Sequence, residues 1–300
     1  MSTKEKVVVV GAGLMGTGIA HGFALSGYEV TLIDNNAVAG EKAAQQIGTL
    51  LAGGVKLGKI DEAAAQAAQS RLRLATEIDE GVVDAALLIE TATENIDIKR
   101  SILRLADRHM APEGVIATNT SALSISELAA ATSRSDRFVG MHFFNPVHKM
   151  KLVEIIRGLE TSEATIARAR AWASSLGKTF IVVNEAPGFT TSRMSALMGN
   201  EAMYMLSEGV ATAEDIDISM RMAFNHPMGP LELGDLTGWD TRLSVLTYLH
   251  QTLGEKFRPC PLIIKMVKSG RTGRKSGKGG VYDYDDQGEK IPGSGLKVLL

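Results

Sequence analysis

Short apolar runs alternate with longer amphipathic stretches over the first 185 residues, and beyond that point the pattern changes. Val7 to Val10 is four β-branched residues followed at once by glycines, as in a buried parallel strand entering a tight turn. Small and apolar residues from Leu14 to Ser26 predict a helix that Gly27 stops. Tyr28 to Ile33 predicts a second buried strand ending at Asp34, which completes a βαβ unit. Further strands are predicted at Ala86–Ile89, Val115–Ala117, Phe138–Met141, Leu152–Ile156 and Phe180–Val183. Helical patterns at Ala37 to Lys56, Ile96 to Met110, Ser124 to Ala131 and Ser162 to Leu176 separate most of them. The polar, alanine-rich stretch Asp61 to Ser70 carries no assigned element. Such alternation predicts an α/β fold with a mostly parallel sheet and helices on both faces. The two runs before Ser162 have only a short connection, which leaves an antiparallel pair open there.

From Thr190 onward the chain reads as helices with no convincing strand: Met194 to Ser207, Ala213 to Ala223, and more to about Ser269. Ser124 with Glu127, and Thr212 with Asp215, have capping-box spacing. Ala186-Pro187-Gly188 breaks the pattern, so the expected domains are 1-185, built on the sheet, and 186-300, all-α. Apolar residues make up 45% of the chain and charged residues 22%, enough for packed cores and far from a disordered composition. Lys plus Arg number 32 against 34 acids, so no global basic field draws nucleic acid or an anionic membrane. Cys260 stands alone, which rules out an intrachain disulfide and a cysteine-rich metal site; no metal is expected. No apolar run reaches the roughly 18 residues of a membrane helix. The short polar start has no room for a signal peptide. A reducing compartment, the cytoplasm, is the expected setting.

Gly11-Ala12-Gly13-Leu14-Met15-Gly16 is the first chemical signal. Gly11 permits the tight turn, Gly13 a close approach of a pyrophosphate, and Gly16 close packing of helix on strand. A diphosphate would sit on the amides of the helix that starts near Leu14. Asp34 suits both ribose hydroxyls and repels a 2′-phosphate, and Asn35 and Asn36 offer no arginine to bind one, so NAD is expected over NADP. His142 follows the Phe138–Met141 run, where such a sheet presents side chains to its ligand crevice. Carbinol oxidation needs a base for the hydroxyl proton, and histidine suits neutral pH. Glu154 lies inside the apolar run Leu152–Ile156 and requires a partner if buried. If the two strands are neighbours, that partner is His142, whose protonated form the carboxylate would stabilise; a histidine in an apolar run is also often an ordinary core residue. The hydroxyls of Ala117-Thr118-Asn119-Thr120-Ser121 fit either a substrate oxygen or an ordinary turn.

Taken together, these residues resemble the 3-hydroxyacyl-CoA dehydrogenase family, of the bacterial 3-hydroxybutyryl-CoA dehydrogenase type. The likeness runs end to end, through Gly11–Gly16, Glu94-Asn95, Asn119-Thr120-Ser121, His142-Phe143-Phe144-Asn145-Pro146, Leu152-Val153-Glu154, Ala186-Pro187-Gly188-Phe189, His226-Pro227-Met228-Gly229-Pro230 and Gly273-Arg274-Lys275-Ser276-Gly277. The resemblance implies a Rossmann-type NAD domain, a helical C-terminal domain that dimerises, and a substrate cleft between them. It implies His142 as catalytic base and acid, Glu154 as its partner, and Ser121 on the substrate's 3-oxygen beside the nicotinamide. Asn145 would contact the cofactor and help hold the histidine region. Glu94, Lys99 and Lys275 match positions near the cofactor. Coenzyme A would lie along the helix ending near Lys56, although Lys56 and Lys59 equally fit a solvated face. Where many relatives carry an asparagine before the arginine, this chain has Ser192, whose hydroxyl can still donate to substrate. The implied reaction is NAD-dependent oxidation of an (S)-3-hydroxyacyl-CoA. Two other readings remain open on the same scaffold: a dehydrogenase of free hydroxy acids or sugar acids, and a non-catalytic NAD-binding protein.

Overall fold

The computed structural model describes residues 4–297. The chain divides into two compact units, Met1–Ala186 and Pro187–Leu300. The first runs β1 (Lys4–Val10), α1 (Leu14–Leu25), β2 (Tyr28–Ile33), α2 (Ala37–Lys56), α3 (Glu62–Ser70), β3 (Leu72–Ala75), α4 (Ile78–Gly81), β4 (Leu87–Glu90), α5 (Ile96–His109) and β5 (Val115–Thr118). It continues with α6 (Ile125–Ala129), β6 (Phe138–Phe143), β7 (Leu152–Arg157), α7 (Glu163–Ser175) and β8 (Thr179–Asn184). These strands form one sheet in the order β3-β2-β1-β4-β5-β6-β7-β8. All neighbours are parallel except β6 and β7, which are antiparallel. The order reverses direction between β1 and β4, and such a crossover is where open α/β sheets hold ligands.

Val7, Val8 and Val9 of β1 are fully buried, as are Leu87 to Glu90 of β4 and Val115 to Thr118 of β5. The strands extend beyond the apolar runs of the sequence, because buried polar residues continue the ladder. β4 takes in Glu90, β5 takes in Thr118, and β6 reaches Phe143 through the pairing of Phe143 with Val153. His142 therefore lies within its strand rather than past its end. β3 escaped the pattern because it is a four-residue edge strand with Arg73 exposed. Residues 62–70 form a helix, started by the Asp61 carboxylate accepting from Ala64 N at 2.7 Å.

Asn36, Asp61, Asn95, Ser124 and Ser162 cap α2, α3, α5, α6 and α7 through their side chains; α1 has no side-chain cap. At Ser124 the box is one-sided. Ser124 Oγ accepts from Glu127 N at 3.1 Å, while the Glu127 carboxylate accepts from Arg100 at 2.6 Å instead of turning back.

The second unit is helical: α8 (Thr191–Ser207), α9 (Ala213–Phe224), α10 (Pro230–Thr237), α11 (Trp239–Leu253) and α12 (Pro261–Lys268). Two buried carboxylates tie it together. Asp217 accepts from the first-turn amides of α10, Leu231 N at 2.8 Å and Glu232 N at 3.0 Å, and from Tyr282 Oη at 2.8 Å. Asp235 accepts from Trp239 Nε1 at 2.6 Å, from Val281 N and Tyr282 N at 2.7 and 2.8 Å, and from Tyr284 Oη at 3.1 Å. Burial pushes both carboxyls up from the usual range, against the pull of these donors. Among the described residues no helix is long and apolar enough to cross a membrane.

One buried base in the first unit sets an acid limit. His21 of α1 lies edge-on to His148, 6.4 Å between ring centres, and its Nδ1 has no hydrogen-bond partner. Burial, together with His148 and Lys178, lowers its pKa from 6.5 to about 4. Below pH 6.5 the unfolded chain takes up a proton that the folded one refuses, so stability falls as pH drops from 6.5 towards 4, by about 3 kcal/mol in all. The variant His21→Leu is expected to lose less thermal stability than the parent between pH 7 and pH 5. Equal losses in the two melting curves would remove His21 as the source.

Candidate active site

The C-terminal ends of the parallel strands and the turns after them carry most candidate side chains of the first unit; Glu154 lies inside β7, Lys99 on α5 and Lys56 at the end of α2. At the end of β1, Gly11 adopts φ +107°, and a Cβ there would lie 2.9 Å from Thr91 Oγ1. Gly16 has no room either: a Cβ would come 1.8 Å from Gly11 O. Gly13 differs, since a Cβ there would meet nothing within 4 Å, which leaves an open approach over the start of α1. That helix has no acid in its first turn, so its leading amides, at Leu14, Met15 and Gly16, face this opening with the positive end of the helix dipole. At the end of β2, Asp34 Oδ2 accepts from Ala12 N at 2.8 Å and Oδ1 from Asn36 N at 2.9 Å. Each oxygen keeps capacity for a ribose hydroxyl, and a half-buried carboxylate here opposes a 2′-phosphate. These features fit a dinucleotide with an unphosphorylated ribose.

His142 and Glu154 face each other in register across the antiparallel β6–β7 pair. His142 Nδ1 lies 2.7 Å from Glu154 Oε2; His142 is 7% exposed and Glu154 0%. The contact fixes the orientation of the ring. Phe144 packs on the ring, 4.5 Å between centres.

Ser121 follows β5 and is held by Glu94, whose Oε1 accepts from Ser121 N at 3.0 Å and Ser121 Oγ at 3.3 Å, and from the Thr120 hydroxyl. Glu94 Oε2 stands 3.5 Å from Lys99 Nζ. Lys99 itself is buried, with its ammonium on Glu90 at 2.8 and 2.9 Å and on Ala92 O at 3.1 Å, and its link to the Ser121 turn runs through Glu94. Asn145 is exposed after β6. The residue seen to hold the histidine segment is Asn119, whose Oδ1 accepts from Phe143 N at 2.8 Å. Lys56 is exposed at the last position of α2. Ser192 and Lys275 belong to the second unit, the first half-buried in the opening turn of α8, the second exposed after α12.

Residues 6–186 match the model of the 3-hydroxyacyl-CoA dehydrogenase NAD-binding domain, and residues 188–284 that of the C-terminal domain of the same family. The chain belongs to the 3-hydroxyacyl-CoA dehydrogenase family. A probable 3-hydroxybutyryl-CoA dehydrogenase of Bacillus subtilis is 44% identical over 94% of this chain and 98% of its own. A 3-hydroxybutyryl-CoA dehydrogenase of Bradyrhizobium diazoefficiens is 44% identical over 93% of this chain and 95% of its own. Among solved structures, the (S)-3-hydroxybutyryl-CoA dehydrogenase of Ralstonia eutropha superposes with TM-score 0.88 at 43% identity, covering 92% of this chain and 97% of that one. NAD is thus the family's cofactor, and the open glycine turn and Asp34 fit it.

Of three residues central to this geometry, Glu90 has no place in the sequence reading, while Thr118 and Asn119 enter it within the hydroxyl-bearing turn but without these partners. An acid closing the apolar run Leu87-Leu88-Ile89 was a readable signal for Glu90, of the same kind as Asp34 after β2. Asn119 stands in the family-like run Asn119-Thr120-Ser121, but its acceptor role depends on β6 lying beside β5.

Proposed function

We propose that this chain catalyses the reversible oxidation of a short-chain (S)-3-hydroxyacyl-CoA, such as 3-hydroxybutyryl-CoA, to the 3-oxoacyl-CoA. The observation that carries the reading is the buried His142–Glu154 contact at the sheet edge that also bears the dinucleotide turn. Bound NAD supplies the hydride acceptor for C3. His142 Nε2 takes the C3 hydroxyl proton as the C3–O bond becomes a carbonyl, and returns it in the reverse direction. Glu154 accepts the hydrogen bond from Nδ1–H and stabilises the imidazolium formed in that step. Ser121 binds the 3-oxygen, Asn145 contacts the cofactor, and Ser192 contributes a substrate hydrogen bond. The Lys56 ammonium attracts the phosphates of coenzyme A, and Lys275 adds positive charge for the cofactor.

The same reading makes residues 186–300 the substrate and dimerisation domain of a cytoplasmic homodimer. Support comes from Met194 on α8 and from Ile218, Met222 and Phe224 on α9, large apolar side chains all at least half exposed. Sedimentation velocity is expected to give twice the chain mass of 32.0 kDa; a single-chain mass at micromolar concentration contradicts the dimer.

Replacing His142 by Gln is expected to lower kcat by about a hundredfold or more while NADH still binds. Glu154→Gln should cause a smaller loss, because orientation survives in part and only imidazolium stabilisation is removed. An unchanged kcat in His142→Gln takes the histidine out of the mechanism. Following NADH absorbance, acetoacetyl-CoA is expected to exceed free acetoacetate in kcat/KM by about tenfold or more, from remote binding energy on the CoA moiety. Equal values would favour a dehydrogenase of free acids.

A further inference from the structure

One fully buried carboxylate at this edge of the sheet is not among those assigned to the chemistry. Glu90, the last residue of β4, is 0% exposed. Its Oε1 accepts from Lys99 Nζ at 2.8 Å and Ala92 N at 2.6 Å, and its Oε2 from Lys99 Nζ at 2.9 Å and Thr118 Oγ1 at 2.7 Å. Stability alone does not account for an ion pair at this depth, since a well-packed apolar pair of similar volume serves equally well or better. Its further attachments show what it organises. Along one branch Lys99 stands against Glu94, and Glu94 holds Thr120 and Ser121. Along the other, Thr118 leads into Asn119, whose N–H donates to Glu90 O at 2.8 Å and whose Oδ1 accepts from the amide beside His142.

We infer that Glu90 is a positioning residue of the dehydrogenase site, setting Ser121 through Lys99 and Glu94, and the His142 segment through Thr118 and Asn119. The inference rests on the function proposed above and adds to it the device that fixes the distance between the two groups that would receive the 3-oxygen. Ser121 follows β5 and His142 lies within β6, so neither strand alone sets their separation. A carbinol held between them needs both fixed to a fraction of an ångström. One buried anion bonded to α5, to β5 and to the turn after β4 supplies a common reference. A carboxylate is required because its two oxygens serve one ammonium, one hydroxyl and one amide together, and an ionised acceptor strengthens each bond. Glutamine would offer one oxygen and would turn an NH2 group towards the ammonium.

The test uses the full-length protein with Glu90→Gln and the double change Glu90→Gln with Lys99→Met, which removes both charges. Two readouts are taken: amide hydrogen exchange at Asn119, Ser121 and Phe143 without ligand, and steady-state kinetics with acetoacetyl-CoA and NADH. In Glu90→Gln, exchange at these amides is expected to quicken about tenfold or more, and kcat to fall about tenfold or more with KM for acetoacetyl-CoA within about threefold. The double variant is expected to regain thermal stability, having no lone buried charge, yet to keep the low kcat. Recovery of kcat along with stability would reduce Glu90 to a structural ion-pair partner and overturn the inference, as would parental exchange rates in Glu90→Gln. Should the single variant not fold, the double variant decides by the same criterion. A parent protein inactive on acetoacetyl-CoA would defeat the proposed function; the exchange readout, which needs no turnover, still decides whether Glu90 anchors the segment.

Discussion

The antiparallel pairing of β6 with β7 is the constraint on which the site depends. In a parallel neighbour, the level of His142 would be matched by a strand end or a loop. Because β7 runs the other way, the residue opposite His142 comes from inside a strand, and Glu154 is held by ladders on both its sides. A slip of one residue would turn Glu154 to the other face of the sheet. Packing enforces the register: Val153, Ile155 and Ile156 are fully buried, and a Cβ on Gly140 would approach Ile156 Cβ to 2.8 Å.

Around that pair the edge of the sheet divides by electrostatic character. The β1–β2 side presents backbone amides and one carboxylate, and its helix α1 is without the side-chain cap that α2, α3, α5, α6 and α7 possess. An anionic ligand completes such a helix start. The β4–β7 side gathers Glu90, Lys99, His142 and Glu154, paired at short range and out of water, with the more exposed Glu94 at their rim. At low local dielectric each of these contacts is stronger than in water, and each group is costly to leave alone. The arrangement resists rearrangement for that reason, and a dehydrogenase that must place a proton acceptor at the oxygen and a hydride acceptor at the carbon of one carbinol benefits from it.

The second unit solves a different problem with similar means. Asp235 bonds a tryptophan of α11 and the backbone that follows the glycine-rich tail. The tail's glycines answer to this packing: at Gly280 a Cβ would lie 1.9 Å from Asp235 Oδ1. The motif around Lys275 therefore has a structural demand of its own, apart from the charge it displays to solvent.

Much was legible in the letters alone. The βαβ start, the alternation of strands and helices, the helical second half and the Asp34 preference rest on local pattern and short-range chemistry, which the sequence encodes directly. His142 and Glu154 could be named as candidates because a buried polar residue in an apolar run signals a partner. Their meeting depended on which strands became neighbours and in which direction, and periodicity carries neither. Strand ends were also misjudged at Glu90, Thr118 and His142, since hydrophobicity stops where the buried polar residues begin, although the ladder does not. Asn119 meets Phe143, 24 residues away, and Glu90 joins its near neighbours Ala92 and Lys99 to Thr118, 28 residues away. Such long-range contacts are decided when the sheet assembles, because only then do burial and directional hydrogen bonding select one partner among many.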